Sequence, residues 1–525
     1  MGESRTKNTV RNVRTGAIVQ VIKLLLAFVV RTFFIRLLNK DYLGVEGLFT
    51  NILTILSFAE LGIGNAIIFN MYKPIAENDE EKIKSLMKLY KKAYNIIGVA
   101  ILVIGAAITP FLGFIIKEKP NISENLSLIY ILYLINTSVS YFFSYKKSII
   151  IAHQKQSVIN NITSVFYVLK SICEILFLYL TRNFIVYLVL QIVFTIITNV
   201  VFSIRANKMY PYLKDTKVKS LEKSVSKRIF SNVRAIVVYK FGGVILGATD
   251  NIIISSMINV GTVGLVSNYN MIITGVQSVL TLSVVHGVEA SVGNLNAIAS
   301  KEKKEKIFYE LNFIDYIIYS FCALAFVVLL NPFIKLWLGM DFVLHQSIPI
   351  ALAVSFYVSG IRNPAYIYRT TNGLFEKGKL APYLCAIINI VTSIILCKFL
   401  GVLGVFIGTS IAQLCSLTWI DPLLIHKHVF NNSAKKYFKK YFIYFLVFVI
   451  NIVILQLLSN LIEDTGVVSF IIKLLMVAVI PNVINIIIFR KSEEYISSKE
   501  TFLKPIISKI LKKVKRKGKG KDKNE

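Results

Sequence analysis

Inside the long apolar runs of this 525-residue chain stand a few side chains that could hold or move charge. Lys23, Arg31 and Arg36 lie in the first run, Lys240 in the seventh and Arg362 in the tenth, beside Asn363-Pro364. The carboxylates noted among them are Glu60, Glu174 and Asp250. An ionised group at the centre of a bilayer costs about 2.5 to 3.5 kcal/mol on insertion scales, so each of these must face a partner or water. Lys23 and Arg31 are eight residues apart, which on a helix is about 12 Å along the axis and about 80° around it. One broad face of the first helix is therefore cationic.

Arginine presents a planar fork that grips phosphate through paired donors, and a cavity with more fixed cations than anions suits an anionic ligand, of which a phosphate is the best fit. Lys23, Arg31, Lys240 and Arg362 are read as facing such a cavity, with Arg36 included in the candidate binding set. Arg36, Arg234 and Arg369 stand near span ends, where snorkelling or internal pairing accounts for them. Pro364 removes a backbone donor, so a kink that exposes polar backbone is expected beside Arg362. Lys170 and Glu174, at i and i+4, are expected to pair with each other. Glu60 has no local partner: it either answers a helix-one cation or titrates as a coupling site, and the sequence does not choose. Glu60, Asp250 and Glu174 form the candidate ion-coupling set.

The elements that must position these groups are membrane helices. Hydrophobic residues make up 55% of the chain and the mean hydropathy is +0.63, beyond the usage of an average soluble domain. About 20 apolar residues cross a hydrocarbon core about 30 Å thick. Such runs lie near 15–38, 43–72, 93–116, 127–151, 158–181, 184–204, 231–256, 262–288, 309–334, 346–369, 380–400, 402–425, 441–461 and 466–489. The expected fold is an all-α polytopic membrane protein of about fourteen transmembrane helices.

The formal net charge of +31 raises the question of nucleic acid, and the placement of the basic residues answers it. They gather in alternate loops, at Lys73 to Lys92, Arg205 to Arg228, Lys301 to Lys306, Lys427 to Lys440 and after Arg490. The intervening loops carry few, such as Lys40, Arg182, Lys335 and Lys398. This is the positive-inside pattern; it puts both termini in the cytoplasm and leaves no basic face for nucleic acid. The tail Lys509 to Lys523 reads equally as an anionic-lipid contact or a solvated segment. Cys173, Cys322, Cys385, Cys397 and Cys415 lie in apolar runs without metal or redox spacing and read as core residues. Met1 to Arg14 is polar and basic without a small-residue cleavage site, so the first helix is expected to be retained.

An internal repeat is visible. Asn12-Val13-Arg14 recurs as Asn232-Val233-Arg234, and at the same offset Asn39 meets Asn259, Gly44 meets Gly264 and Phe49 meets Tyr269. Two or three residues further out of register, Ile75-Ala76 matches Ile298-Ala299 and Pro110-Phe111 matches Pro332-Phe333. Six helices per unit is an even number, so the copies share one orientation, and binding is expected between them. The expected organisation is a cytoplasmic segment 1–14, six-helix lobes 15–210 and 211–428 around a central cavity, two additional helices in 429–490 and a basic tail 491–525.

The run Arg36-Leu37-Leu38-Asn39-Lys40-Asp41-Tyr42-Leu43-Gly44, then Glu60-Leu61-Gly62-Ile63-Gly64-Asn65-Ala66 before a basic loop, resembles the Wzx-like flippases. These belong to the multidrug/oligosaccharidyl-lipid/polysaccharide (MOP) exporter superfamily. Asp250, Gly264 and Tyr269 are similar to that family's second half. The resemblance spans about residues 8–490 on diffuse motifs. It implies two six-helix lobes with two extra helices, and alternating access that carries undecaprenyl-diphosphate-linked repeat units to the outer leaflet of a bacterial plasma membrane for O-antigen or capsule synthesis. The implied partners are the polyprenyl-diphosphate-linked glycan, membrane lipids, and a polysaccharide polymerase and glycosyltransferases.

Two rivals are weighed against this reading. A drug or metabolite antiporter of the same superfamily would want acidic cavity residues, whereas the cations noted in the spans outnumber the acids. A membrane polymerase or ligase would want a sizeable outer loop, which the chain lacks. A non-transporting scaffold gives no reason for Arg or Lys at membrane depth. No Gly-x-x-x-x-Gly-Lys-Ser/Thr occurs, so direct ATP use is not expected. No enzyme activity, cofactor or metal is expected.

Overall fold

The computed structural model describes residues 5–57, 60–215, 247–282, 286–374, 376–463 and 466–500, with 218, 221, 227, 229 and 243. Among these residues there is no β-strand. The helices are α1 (Arg5–Leu37), α2 (Lys40–Leu56), α3 (Glu60–Glu77), α4 (Glu80–Ile108), α5 (Leu126–Ser144), α6 (Lys147–Ala152), α7 (Gln156–Thr181) and α8 (Phe184–Met209). After these come α9 (Val260–Leu280), α10 (His286–Ile298), α11 (Lys301–Leu338), α12 (Ser347–Gly360), α13 (Asn363–Thr371), α14 (Ala381–Leu400), α15 (Val402–Cys415), α16 (Leu417–Ile425), α17 (Lys435–Asn460) and α18 (Val467–Phe489).

Ten helices among the described residues are long and apolar enough to cross a membrane. Their outer faces carry exposed large apolar side chains such as Leu25, Val103, Ile172, Leu180 and Leu475, a surface that water would not tolerate but acyl chains cover. The other four expected spans are the broken, polar or incompletely described ones. The second is divided into α2 and α3 and the tenth into α12 and α13. The eighth is α9, which carries Thr262, Ser267, Asn268, Asn270, Thr274 and Gln277, followed by α10. The seventh is described as helix only over 247–257, apart from isolated positions before it. The all-helical, polytopic expectation of about fourteen spans holds in this form.

The repeat is expressed in the backbone. Asn39 caps α2 by accepting from the Asp41 and Tyr42 amides, and Asn259 caps α9 by accepting from the Thr262 amide, each satisfying N–H groups that a helix start leaves open. Gly44 and Gly264 then meet each other's helices. A Cβ on Gly44 would lie 1.9 Å from the Val260 carbonyl oxygen, and one on Gly264 would lie 2.1 Å from that of Lys40. Only glycine permits so close a backbone approach. Phe49 and Tyr269 are both fully buried. The fourth and tenth spans break alike, at Tyr145-Lys146 between α5 and α6 and at Ile361-Arg362 between α12 and α13. At the second break Pro364 withholds the amide that would continue the helix.

The chain divides into two compact units, one of 1–284, 337–344 and 379–412, the other of 285–336, 345–378 and 413–525. The first has a core in which Phe34, Tyr42, Phe184 and Tyr187 meet ring to ring, with Phe49 against Tyr130. The second is built on stacked pairs, Tyr357 on Phe448 at 4.0 Å and Tyr316 on Tyr444 at 4.5 Å, and on a cluster around Phe308.

Candidate functional site

In the first unit α1 supplies Arg31, half-buried, whose Nη1 donates to Ser267 Oγ of α9 at 3.0 Å. Ser267 donates in turn to the Gly264 carbonyl at 2.8 Å, so the glycine-mediated crossing that brings α9 close also fixes the hydroxyl that holds the guanidinium. Arg31 lines a cavity of ≈ 240 Å³ with Glu46 of α2, Lys170 and Glu174 of α7, and Gln191 of α8. Lys170 and Glu174 form the expected i,i+4 ion pair at 3.3 Å. Lys23 stands half-buried with its ammonium 5.7 Å from the ring centroid of Tyr167, a residue of the same lining.

A second cavity, ≈ 400 Å³, shares Glu46 and Gln191 with the first and adds Thr50, Thr54, Asn136 and Glu60. Glu60 has local partners that the sequence did not reveal: the Tyr94 and Tyr141 hydroxyls each donate to its carboxylate at 2.9 Å. Tyr90 donates to Tyr94 at 2.8 Å. Gly64 makes room for this chain, because a Cβ there would lie 2.9 Å from the Tyr90 hydroxyl.

Among the described residues the two linings hold Arg31 and Lys170 against Glu46, Glu174 and Glu60, so the described cations are not in excess there. Glu46 is the residue overlooked; its signal was plain, a carboxylate two residues past Gly44 within the second apolar run. What remains distinctive is that Lys170 has a carboxylate partner whereas Arg31 hydrogen-bonds a neutral serine.

The remaining candidates stand elsewhere. Arg36 is exposed and lines neither cavity. Asp250, half-buried, accepts from Thr409 Oγ1 at 3.1 and 3.2 Å. Thr409 accepts from Asn389 at 2.8 Å, and Thr249 donates to Asn389 at 3.0 Å, which makes a polar cluster of the seventh span with α14 and α15. Lys240 and Arg234 lie outside the described residues.

In the second unit Arg362 sits at the α12/α13 break. Gly360 allows the Tyr319 ring against the helix end, where a Cβ would lie 1.8 Å away, and Asn363 donates to the Tyr319 hydroxyl at 2.9 Å. Arg362 Nη2 is 3.7 Å from Asp421 Oδ2, and Arg369 Nη1 is 2.6 Å from Asp421 Oδ1. Asp421 and Arg369 are buried. Internal pairing thus accounts for Arg369, as expected, and gives Arg362 a partner. Asp421, inside the 402–425 run, carries no such local signal, because it stands 52 and 59 residues from Arg369 and Arg362.

Residues 9–287, just over half the chain, match the family model described as polysaccharide biosynthesis protein. No curated protein is significantly similar in sequence. Several solved structures share the fold. The lipid II flippase MurJ in an inward closed conformation matches at 16% identity over 90% of this chain and 98% of its own, with a TM-score of 0.64. An inward-facing multidrug resistance MATE family transporter of the MOP superfamily matches at 17% identity, over 77% of this chain and 97% of its own, with a TM-score of 0.60. The Vibrio cholerae MATE transporter VcmN matches at 15%, over 81% and 99%, with a TM-score of 0.57.

Proposed function

This chain belongs to the polysaccharide biosynthesis protein family, and on that premise we propose that it is a flippase which carries undecaprenyl-diphosphate-linked oligosaccharide from the inner to the outer leaflet of a bacterial plasma membrane by alternating access. The observation that carries the reading is the cavity lined by Arg31 together with the second, which shares Glu46 and Gln191 with it. A lipid-linked sugar needs a cation for its diphosphate and many uncharged or acidic hydrogen-bonding groups for its hydroxyls. Arg31 offers the first from a neutral serine, and Glu46, Thr50, Thr54, Asn136 and Gln191 offer the second. Arginine's fork suits phosphate better than an ammonium does. An anionic lipid moving outward also runs with an inside-negative potential, worth about 2.3 kcal/mol per charge per 100 mV.

On this reading the protein is a transporter, not an enzyme. Both termini are cytoplasmic, and the chain works beside the glycosyltransferases that build the repeat unit and the polymerase that consumes it. The deciding experiment is complementation of a flippase-deficient strain. Arg31→Ala should abolish it at unchanged protein level, and Arg31→Lys should rescue it only in part. Full complementation by Arg31→Ala would remove the phosphate reading.

One observation favours a second function, a cation-coupled drug or metabolite antiporter: three carboxylates line the two cavities. That reading requires resistance to cationic dyes on expression, lost in Glu46→Gln, with no complementation of the flippase strain.

A further inference from the structure

A third cavity, ≈ 490 Å³, lies apart from the two above, at the start of α4, the α5/α6 break and the segment after α8. Among the described residues its lining carries Lys84, Lys88, Lys91, Lys146 and Lys214 against one carboxylate, Asp215. Lys84, Lys88 and Lys91 follow one another at i, i+4 and i+7, so they form a stripe on one face of α4. The lysines are held in place mainly by weak or neutral partners. Lys84 pairs with Asp215 at 2.9 Å. Lys88 donates to the Val218 carbonyl at 3.1 Å, and Lys146 to Asn207 Oδ1 at 2.8 Å. The ammoniums of Lys91 and Lys146 each stand 5.9 Å from the ring centroid of Tyr145.

Five ammoniums converging on one cleft repel one another; Asp215, with Glu80 and Glu81 near Lys84, offsets them only in part, and an anion with several acceptor oxygens would offset the rest. Apolar surface adjoins the cleft on the same elements. Phe143, three residues before Lys146, and Ile204, three before Asn207, are exposed. A headgroup in the cleft would therefore have its acyl chains against those side chains, which a soluble phosphate could not use.

We propose that this cleft binds the phosphate headgroup of an anionic membrane lipid, as a site separate from the transported substrate's. The claim does not depend on what the protein transports. It uses the attraction of clustered basic residues to anionic lipid near the membrane surface.

The test uses the full chain in neutral detergent, with lipid retention followed by native mass spectrometry. The probes are dioleoyl-phosphatidylglycerol, dioleoyl-phosphatidylcholine and inorganic pyrophosphate. Phosphatidylglycerol should be retained in preference to phosphatidylcholine. The triple variant Lys88→Gln/Lys91→Gln/Lys146→Gln should bind it about tenfold or more weakly. Arg at the same three positions should keep binding, and the charge-matched variant Lys301→Gln/Lys303→Gln/Lys306→Gln, on the exposed start of α11, should bind within about twofold of the parent. Equal weakening by both Gln triples would reduce the effect to net charge and overturn the site. Equal retention of the two lipids, or pyrophosphate displacing the lipid at equal concentration, would overturn it as well. Thermal melting confirms that each variant is folded; should the triple fail, Lys91→Gln alone is expected to weaken binding about threefold, and no change in it would refute the proposal.

Discussion

Arg31 and the Arg362/Arg369 pair look alike in sequence, each an arginine within an apolar run, yet their surroundings differ in kind. Arg31 is half-buried beside a polar cavity and bonds a serine hydroxyl. Arg369 is buried at 1% exposure against Asp421, which is at 0%, and Arg362 approaches the same carboxylate at 3.7 Å. The second arrangement neutralises Arg369 against Asp421 and draws Arg362 toward the same carboxylate, one negative charge to two positive ones. The first leaves Arg31 bonded to an uncharged hydroxyl. An arginine at membrane depth is therefore informative about ligand binding only after its partner is known.

The largest effect should come from breaking the neutralised region. Asp421→Ala leaves Arg369 buried without its carboxylate, a loss of about 3 to 5 kcal/mol, seen as a steep fall in protein level and in the detergent melting temperature. A variant as stable as the parent would mean that the pair does not hold that unit together. Next comes Arg31→Ala, for which flipping should vanish while melting falls less than in Asp421→Ala, because only a bond to a neutral serine is lost, worth about 1.5 to 3 kcal/mol. Comparable losses of stability in Arg31→Ala and Asp421→Ala would erase the distinction.

Arg362→Ala is intermediate. The sequence alone placed it with the cavity-facing cations. With Asp421 still held by Arg369 at 2.6 Å, the variant should fold, lose less stability than Asp421→Ala and fail or nearly fail complementation if its guanidinium also serves the ligand. Normal flipping would confine Arg362 to the ion pair. The smallest effect should be that of Glu60→Gln. One of its two tyrosines can still donate to the amide oxygen and the other can accept from the amide nitrogen, so flipping should persist within severalfold and stability within about 1 kcal/mol. A complete loss would instead make Glu60 a coupling site, the question its sequence left open.

Much of the fold was legible because it depends on local composition. Helix-length apolar runs, loop basicity and the repeat of Asn39 with Asn259 and Gly44 with Gly264 are properties of a few adjacent residues, and the caps and the glycine crossing followed in the structure. The i,i+4 pair of Lys170 and Glu174 was readable for the same reason. The breaks were half legible: Pro364 announced the one at Arg362, whereas no proline marks Tyr145-Lys146.

By itself, then, the sequence determined that the chain is a bundle of membrane helices with an internal repeat and with charge placed inside it, since solvation by lipid acts on each segment separately. Beyond the i,i+4 pair, which charges oppose which was decided by tertiary structure. Glu46 came to Arg31's cavity, Tyr94 and Tyr141 to Glu60, and Asp421 to two arginines across distances in the chain that no spacing rule covers. Pairing depends on a few ångströms between helices, and hydropathy carries no record of that distance.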